Sequence, residues 1–120
     1  MIPLGDRSYR PLRDLLSEIA LRYQLPLFIS ETGTEADDRV PWFRYVAEES
    51  AAASRQGVDI EGICLYPVVN HPGWEDERHC HNGLWDYCDD SGDRAIHEPL
   101  ANEVQRIIGR STNTKALSAH

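Results

Sequence analysis

The sequence predicts an α/β protein, a segment of order α-β-α-β-α in which two buried-type strands are joined by a crossover helix. Three observations predict it. An apolar stripe at steps of three and four runs through Leu12, Leu15, Leu16, Ile19 and Tyr23. Two short apolar runs, 27–30 and 58–69, each end in a polar loop. Between them lies a stretch with helical periodicity, and strand, helix and parallel strand together form the unit from which α/β folds are built.

The elements follow in order. Residues 10–24 read as a helix, with Pro11 tolerated in its first turn and Pro26 ending it. The run at 27–30 is continuous rather than alternating, which predicts a strand covered on both faces. Residues 31–40 form a polar loop. A helix is expected from about Pro41 to Gln56, with Trp42, Val46 and Ala53 facing inward and Gly57 as its stop. The second strand is expected within 58–69, with Cys64 as a core residue. A long irregular loop follows from Asn70 to about Arg94, then a last helix over 98–108. Residues 1–109 are thus expected to form one α/β segment and 110–120 a flexible tail.

Two parallel strands alone leave two unpaired edges and half-covered faces. No further strand pattern is evident, so the sequence reads as a slice of a larger α/β architecture. Met1 just before "IPLGDRSYRPL", with no strand ahead of it, fits an internal start.

The chain has 120 residues, 12 basic and 20 acidic, for a net charge of −8. That excludes a phosphate-backbone binder, which needs clustered Lys and Arg. No apolar stretch approaches the roughly 20 residues of a membrane helix, and no secretory leader is visible. Three cysteines, none in a C-x-x-C pair, fit a reducing compartment, so a cytoplasmic location is expected.

Both polar loops follow strands, at the strands' carboxyl ends, where α/β folds place their active sites. Glu31 directly follows the apolar run Leu27–Ile29. A carboxylate held there on rigid backbone is placed for nucleophilic attack on a sugar, opposite a second acid about 5 Å away. By position alone, a solvated strand terminus is the better explanation.

The stretch "FISETG" (28–33) resembles the strand-seven signature of the retaining glycoside hydrolases of the (β/α)8-barrel clan A, in which a Glu after an apolar strand is the nucleophile. "YPVVNHPGW" (66–74) is similar to the strand-eight end of the β-glucosidase family, glycoside hydrolase family 1, and "NGLWDY" (82–87) stands where that family has a Gly-Leu segment before its last helix. The resemblance implies a partial (β/α)8 barrel, about its last two β/α units. It implies Glu31 as the nucleophile of a covalent glycosyl-enzyme, Tyr66 as an aromatic under the sugar ring, Trp74 as a pocket wall, and Asn70 and His71 as hydrogen-bond partners of sugar hydroxyls. A glycoside is then the partner, and no cofactor or metal is implied.

The departures are specific. Gly73 stands where the family has a Glu, and Tyr66 where it has a Trp, so the family's sugar preference does not carry over. The Asn-Glu-Pro motif that supplies the acid/base on strand four does not occur. The isolated chain is therefore expected to be inactive as a glycosidase.

Other readings stay open. The aromatics Tyr66, Trp74 and Trp85 would serve a non-catalytic carbohydrate-binding fragment. His71, His79, Cys80, His81 and Cys88 invite a metal-stabilised loop, but their spacing matches no standard ligand set and they read better as packed loop residues, the two cysteines buried. Arg39 is a candidate partner of Glu31. The open edges allow self-association, four copies closing eight strands, or a complementing barrel segment.

Overall fold

The computed structural model describes residues 5–118, with their side chains as far as Arg110. Its elements are α1 (Leu12–Tyr23), β1 (Leu27–Thr32), a single 3-10 turn (Ala36–Asp38), α2 (Arg39–Arg55), β2 (Ile60–Leu65), β3 (Trp85–Cys88), β4 (Arg94–Ile96) and α3 (Glu98–Ser118). β1 and β2 form one two-stranded sheet, β3 and β4 another. The N–H of Leu27 reaches Asp59 O at 2.8 Å and that of Tyr66 reaches Thr32 O at 2.9 Å. Low pairs with low and high with high, so β1 and β2 run parallel.

Contacts divide the chain into two compact units, Met1–Ser30 with Tyr45–Cys64 and Glu31–Arg44 with Leu65–His120. In the first, Leu16, Ala53 and Val58 form the core, with Leu12, Ala20, Leu27 and Ile60 packed around it. α1 carries Asp14 in its first turn and Arg22 in its last, matching the helix dipole. It stops where Gln24 turns left-handed and donates its N–H to Ala20 O, ahead of Pro26. α2 ends at Arg55, and two residues on the chain turns at Gly57, whose φ of +98° is one that L side chains rarely adopt. Glu49, nearly fully buried, receives the Arg13 guanidinium at 2.7 and 2.9 Å and the Arg13 N–H at 3.0 Å.

In the second unit Phe43, Cys80 and Leu100 are buried. Glu103, also buried, pairs with Arg44 at 2.9 Å and with Arg106 one turn along α3. The two guanidinium groups pull the Glu103 carboxyl down to about 2.

Several expectations are corrected. β1 is not covered on both faces: Leu27 packs on the core, but Phe28 is 62% exposed. A continuous apolar run signals two covering layers, and among the described residues nothing buries Phe28 as α1 and α2 bury Leu27. Ile19 and Tyr23 of the α1 stripe are exposed, as are Cys64 and Cys88. The stretch 70–94 contains a strand, β3, that pairs antiparallel with β4 around a turn built on Asp89, whose Oδ1 accepts from the N–H groups of Ser91 and Asp93. α3 continues past Ile108 to Ser118. Of the stretch 110–120 expected as a tail, residues 119 and 120 lie outside the described residues.

Candidate functional site

The second unit holds an open cleft of about 530 Å3 at the carboxyl ends of β1 and β2. Glu31 lines it, as do Tyr66, His71 and Trp74. Four of the five residues expected from the sequence therefore share one cavity.

Strand geometry explains how Glu31 arrives there. β1 continues through Thr32, so Glu31 is the next-to-last strand residue rather than the first loop residue. Thr32 is buried, its O accepts from Tyr66 N–H, and its Oγ1 accepts from Trp42 Nε1 at 2.9 Å. Gly33 then passes so close to β2 that a Cβ on it would lie 1.9 Å from Tyr66 O. No other residue fits. The carboxylate of Glu31 is exposed and makes no hydrogen bond or ion pair among the described residues.

The opposite wall is aromatic. The Tyr66 and His71 rings lie 5.7 Å apart, tilted by 50°, and the His71 and Trp74 rings stand nearly perpendicular, 6.3 Å apart at 89°. Trp74 is 88% exposed, an unusual state for a large aromatic side chain. His71 Nδ1 donates to Pro72 O at 2.7 Å, which fixes the tautomer and leaves Nε2 as the acceptor. That Nε2 is buried and has no partner.

Asn70 stands apart from these. It is buried and does not line the cleft; its Oδ1 accepts from Gly83 N–H at 2.6 Å and its Nδ2 donates to Asp86 at 2.7 Å. It pins the loop that carries His71 and Trp74. Arg39 likewise does not reach Glu31: it donates to the carbonyls of Ala36 and Gly83, and burial lowers its pKa.

Sequence reasoning missed three contributors. Trp42, expected in the core, lines the cleft. Glu35 and Arg78 also line it and form a bidentate ion pair, both N–O distances 2.9 Å. The guanidinium holds the Glu35 carboxyl below its usual range. A general acid needs a raised pKa, so Glu35, the other acid lining the cleft, is unsuited to protonate a leaving group.

Among the described residues no three His, Cys, Asp or Glu side chains gather to hold an ion. His79 and His81 instead pack on Tyr87, at 5.0 and 5.9 Å, and Cys80 is buried with its Sγ 3.5 Å from Arg78 O. No helix among these residues is long and apolar enough to cross a membrane.

Parallel strands, crossover helix and a cleft at the strand ends define part of a β-glucosidase-like (β/α)8 barrel, not closed in this chain. Solved structures with this fold include the β-glycosidase of the hyperthermophile Thermosphaera aggregans (TM-score 0.69, 19% identity, 81% of this chain and 21% of that one). A rice β-glucosidase gives a TM-score of 0.69 at 19% identity, over 85% of this chain and 27% of that one. An aphid myrosinase gives 0.70 at 17%, over 89% and 26%. The chain thus spans about a quarter of the length of the structures it matches. No family's sequence model matches it, and no curated protein matches it in sequence.

Proposed function

We propose that this chain is the nucleophile-bearing segment of a retaining glycoside hydrolase, working through a covalent glycosyl-enzyme when the barrel is complete. The observation that carries the reading is the unpaired carboxylate of Glu31 at a strand end, in one cleft with Tyr66, His71 and Trp74. A nucleophile must be ionised and free of strong partners, and sugar C–H faces stack on exposed aromatic surfaces. The fold supports it: the rice enzyme was captured, as a mutant, in a covalent complex with Glc.

In this reading Glu31 attacks the anomeric carbon, the C–O bond to the leaving group breaks, and the sugar remains as an ester of Glu31. Tyr66 and Trp74 hold the ring, His71 Nε2 accepts from a hydroxyl once the loop yields, and Asn70 acts by holding the loop. The acid that protonates the leaving oxygen comes from outside this segment. The chain alone therefore does not turn over ordinary glycosides.

An aryl glycoside with a good leaving group needs no acid, which gives the test. The 120-residue chain is incubated with 2,4-dinitrophenyl 2-deoxy-2-fluoro-β-glucoside and digested for mass spectrometry. The expected product is a fluoroglucosyl adduct on the peptide containing Glu31, absent in Glu31→Gln. An adduct on another residue, or none, counts against the nucleophile.

The exposure of Trp74 favours one second reading, a non-catalytic sugar platform. Sugar binding that depends on Trp74 but not on Glu31, without an adduct, would select it.

A further inference from the structure

We infer that the Glu35–Arg78 ion pair is a clasp that positions Trp74 on the cleft, making both positioning residues for sugar binding; this rests on the reading of the cleft as a glycoside site. Trp74 has little packing of its own, its ring meeting among the described residues the perpendicular ring of His71. Its place is set by the loop that carries it. That loop is closed by Gly73 N–H on Arg78 O at 2.7 Å and by a bridge between Pro72 and His79. Both closures end at or beside Arg78. A Cβ at position 73 would come 2.3 Å from Asp76 Oδ1, which accepts from Arg78 N–H at 3.2 Å. The tip is thus a tight return that moves as one piece, with Arg78 as its outer leg.

The guanidinium of Arg78 ties that leg to the loop that follows β1. Two parallel N–H···O bonds to Glu35 fix orientation as well as distance, which a single bond does not. A second tie between the two loops, Ala36 N–H on His81 O at 2.8 Å, is uncharged and lies at the loop base. The tip is therefore held by charge and the base by the main chain. Salt should loosen the first and leave the second alone. Pairing also removes Arg78 as a free cation in the cleft and leaves Glu31 as its net charge.

The test is backbone hydrogen exchange of the 120-residue chain, read by mass spectrometry. Exchange across 73–78 should rise on the order of fivefold in Glu35→Gln and in Arg78→Met, the upper end for an exposed pair, with 100–107 of α3 unchanged as a check on folding. Raising NaCl to about 0.5 M should do the same to the wild type. The double variant Glu35→Arg with Arg78→Glu should restore slow exchange. Unchanged exchange in both single variants, or a double variant as loose as the singles, overturns the clasp. Binding of methyl β-D-glucopyranoside, followed by NMR, provides the second arm. Weakening in the singles with recovery in the double supports the positioning role, and unchanged binding in a loosened loop overturns it. No binding by the wild type, with the exchange pattern as expected, fails the glycosidase reading and upholds the clasp.

Discussion

The two units of this chain are held together by different means. Around α1, stability comes from apolar contact among Leu16, Ala53 and Val58, with an ion pair between the buried Glu49 and the half-exposed Arg13. Around the cleft, the loops are held by directional bonds: Asn70 to Gly83 and Asp86, Arg39 to Ala36 and Gly83, Arg78 to Glu35. Apolar packing tolerates sliding, whereas hydrogen bonds fix distance and angle. The unit that must hold side chains in a given geometry uses the second. Its exposed aromatics, Tyr66 and Trp74, are what such a frame supports.

The two units also use glycine differently, and this predicts the largest contrast. Gly33→Ala would drive a Cβ into the Tyr66 carbonyl, so it should destabilise by more than about 3 kcal/mol, read from urea denaturation. Gly57→Ala meets no atom and only strains the backbone, at about 1 kcal/mol. Equal losses would break the comparison.

Next in size are the apolar anchors. Leu100→Ala and Leu16→Ala should each lose about 2–5 kcal/mol, with the larger loss at Leu100, which is 1% exposed against 7% for Leu16. Asn70→Ala should lose about 1–3 kcal/mol by leaving the buried Gly83 N–H without its acceptor. It should also cut sugar binding without touching sugar. If binding survives, Asn70 does not position the loop.

Acid sharpens the comparison further. The folded pKa values of Glu103, about 2, and Glu49 are both depressed, chiefly by hydrogen bonds from arginine. Each contributes stability that is fully present above the unfolded value near 4.5 and lost as pH falls toward the folded one. Glu103→Gln should flatten stability against pH between about 4.5 and 2. A curve that stays as steep would mean that the two pairings contribute little. The smallest effect on stability is expected at Glu31→Gln: an exposed, unpaired carboxylate leaves the midpoint unchanged while abolishing the adduct.

Much of this was legible in the residues. The Leu12–Leu16 spacing, Pro26, Gly57 and the apolar runs at 27–30 and 58–69 placed α1, β1, α2 and β2 to within a few positions, because periodicity and helix stops are local properties. Glu31 was legible from its place after an apolar run, and Tyr66, His71 and Trp74 only through the family resemblance. The β3–β4 hairpin was missed, although the turn sequence Asp-Ser-Gly-Asp between Trp85–Cys88 and Arg94–Ile96 was its signal. Burial of Cys64, Cys88 and Phe28 was misjudged, since an apolar residue is buried only if another layer covers it.

The sequence by itself determined that α1, β1, α2 and β2 follow one another and where each begins to within a few positions, because chain sterics and hydrophobic periodicity act between near neighbours. Only the tertiary structure decided that Asn70 faces the loop interior while His71 faces the cleft, that Trp42 leaves the core for Thr32, and that Glu35 meets Arg78. These pairings join residues up to 43 positions apart, and no local pattern encodes which distant donor satisfies which acceptor. That choice belongs to the folded chain, where a buried polar group must find its partner or destabilise the fold.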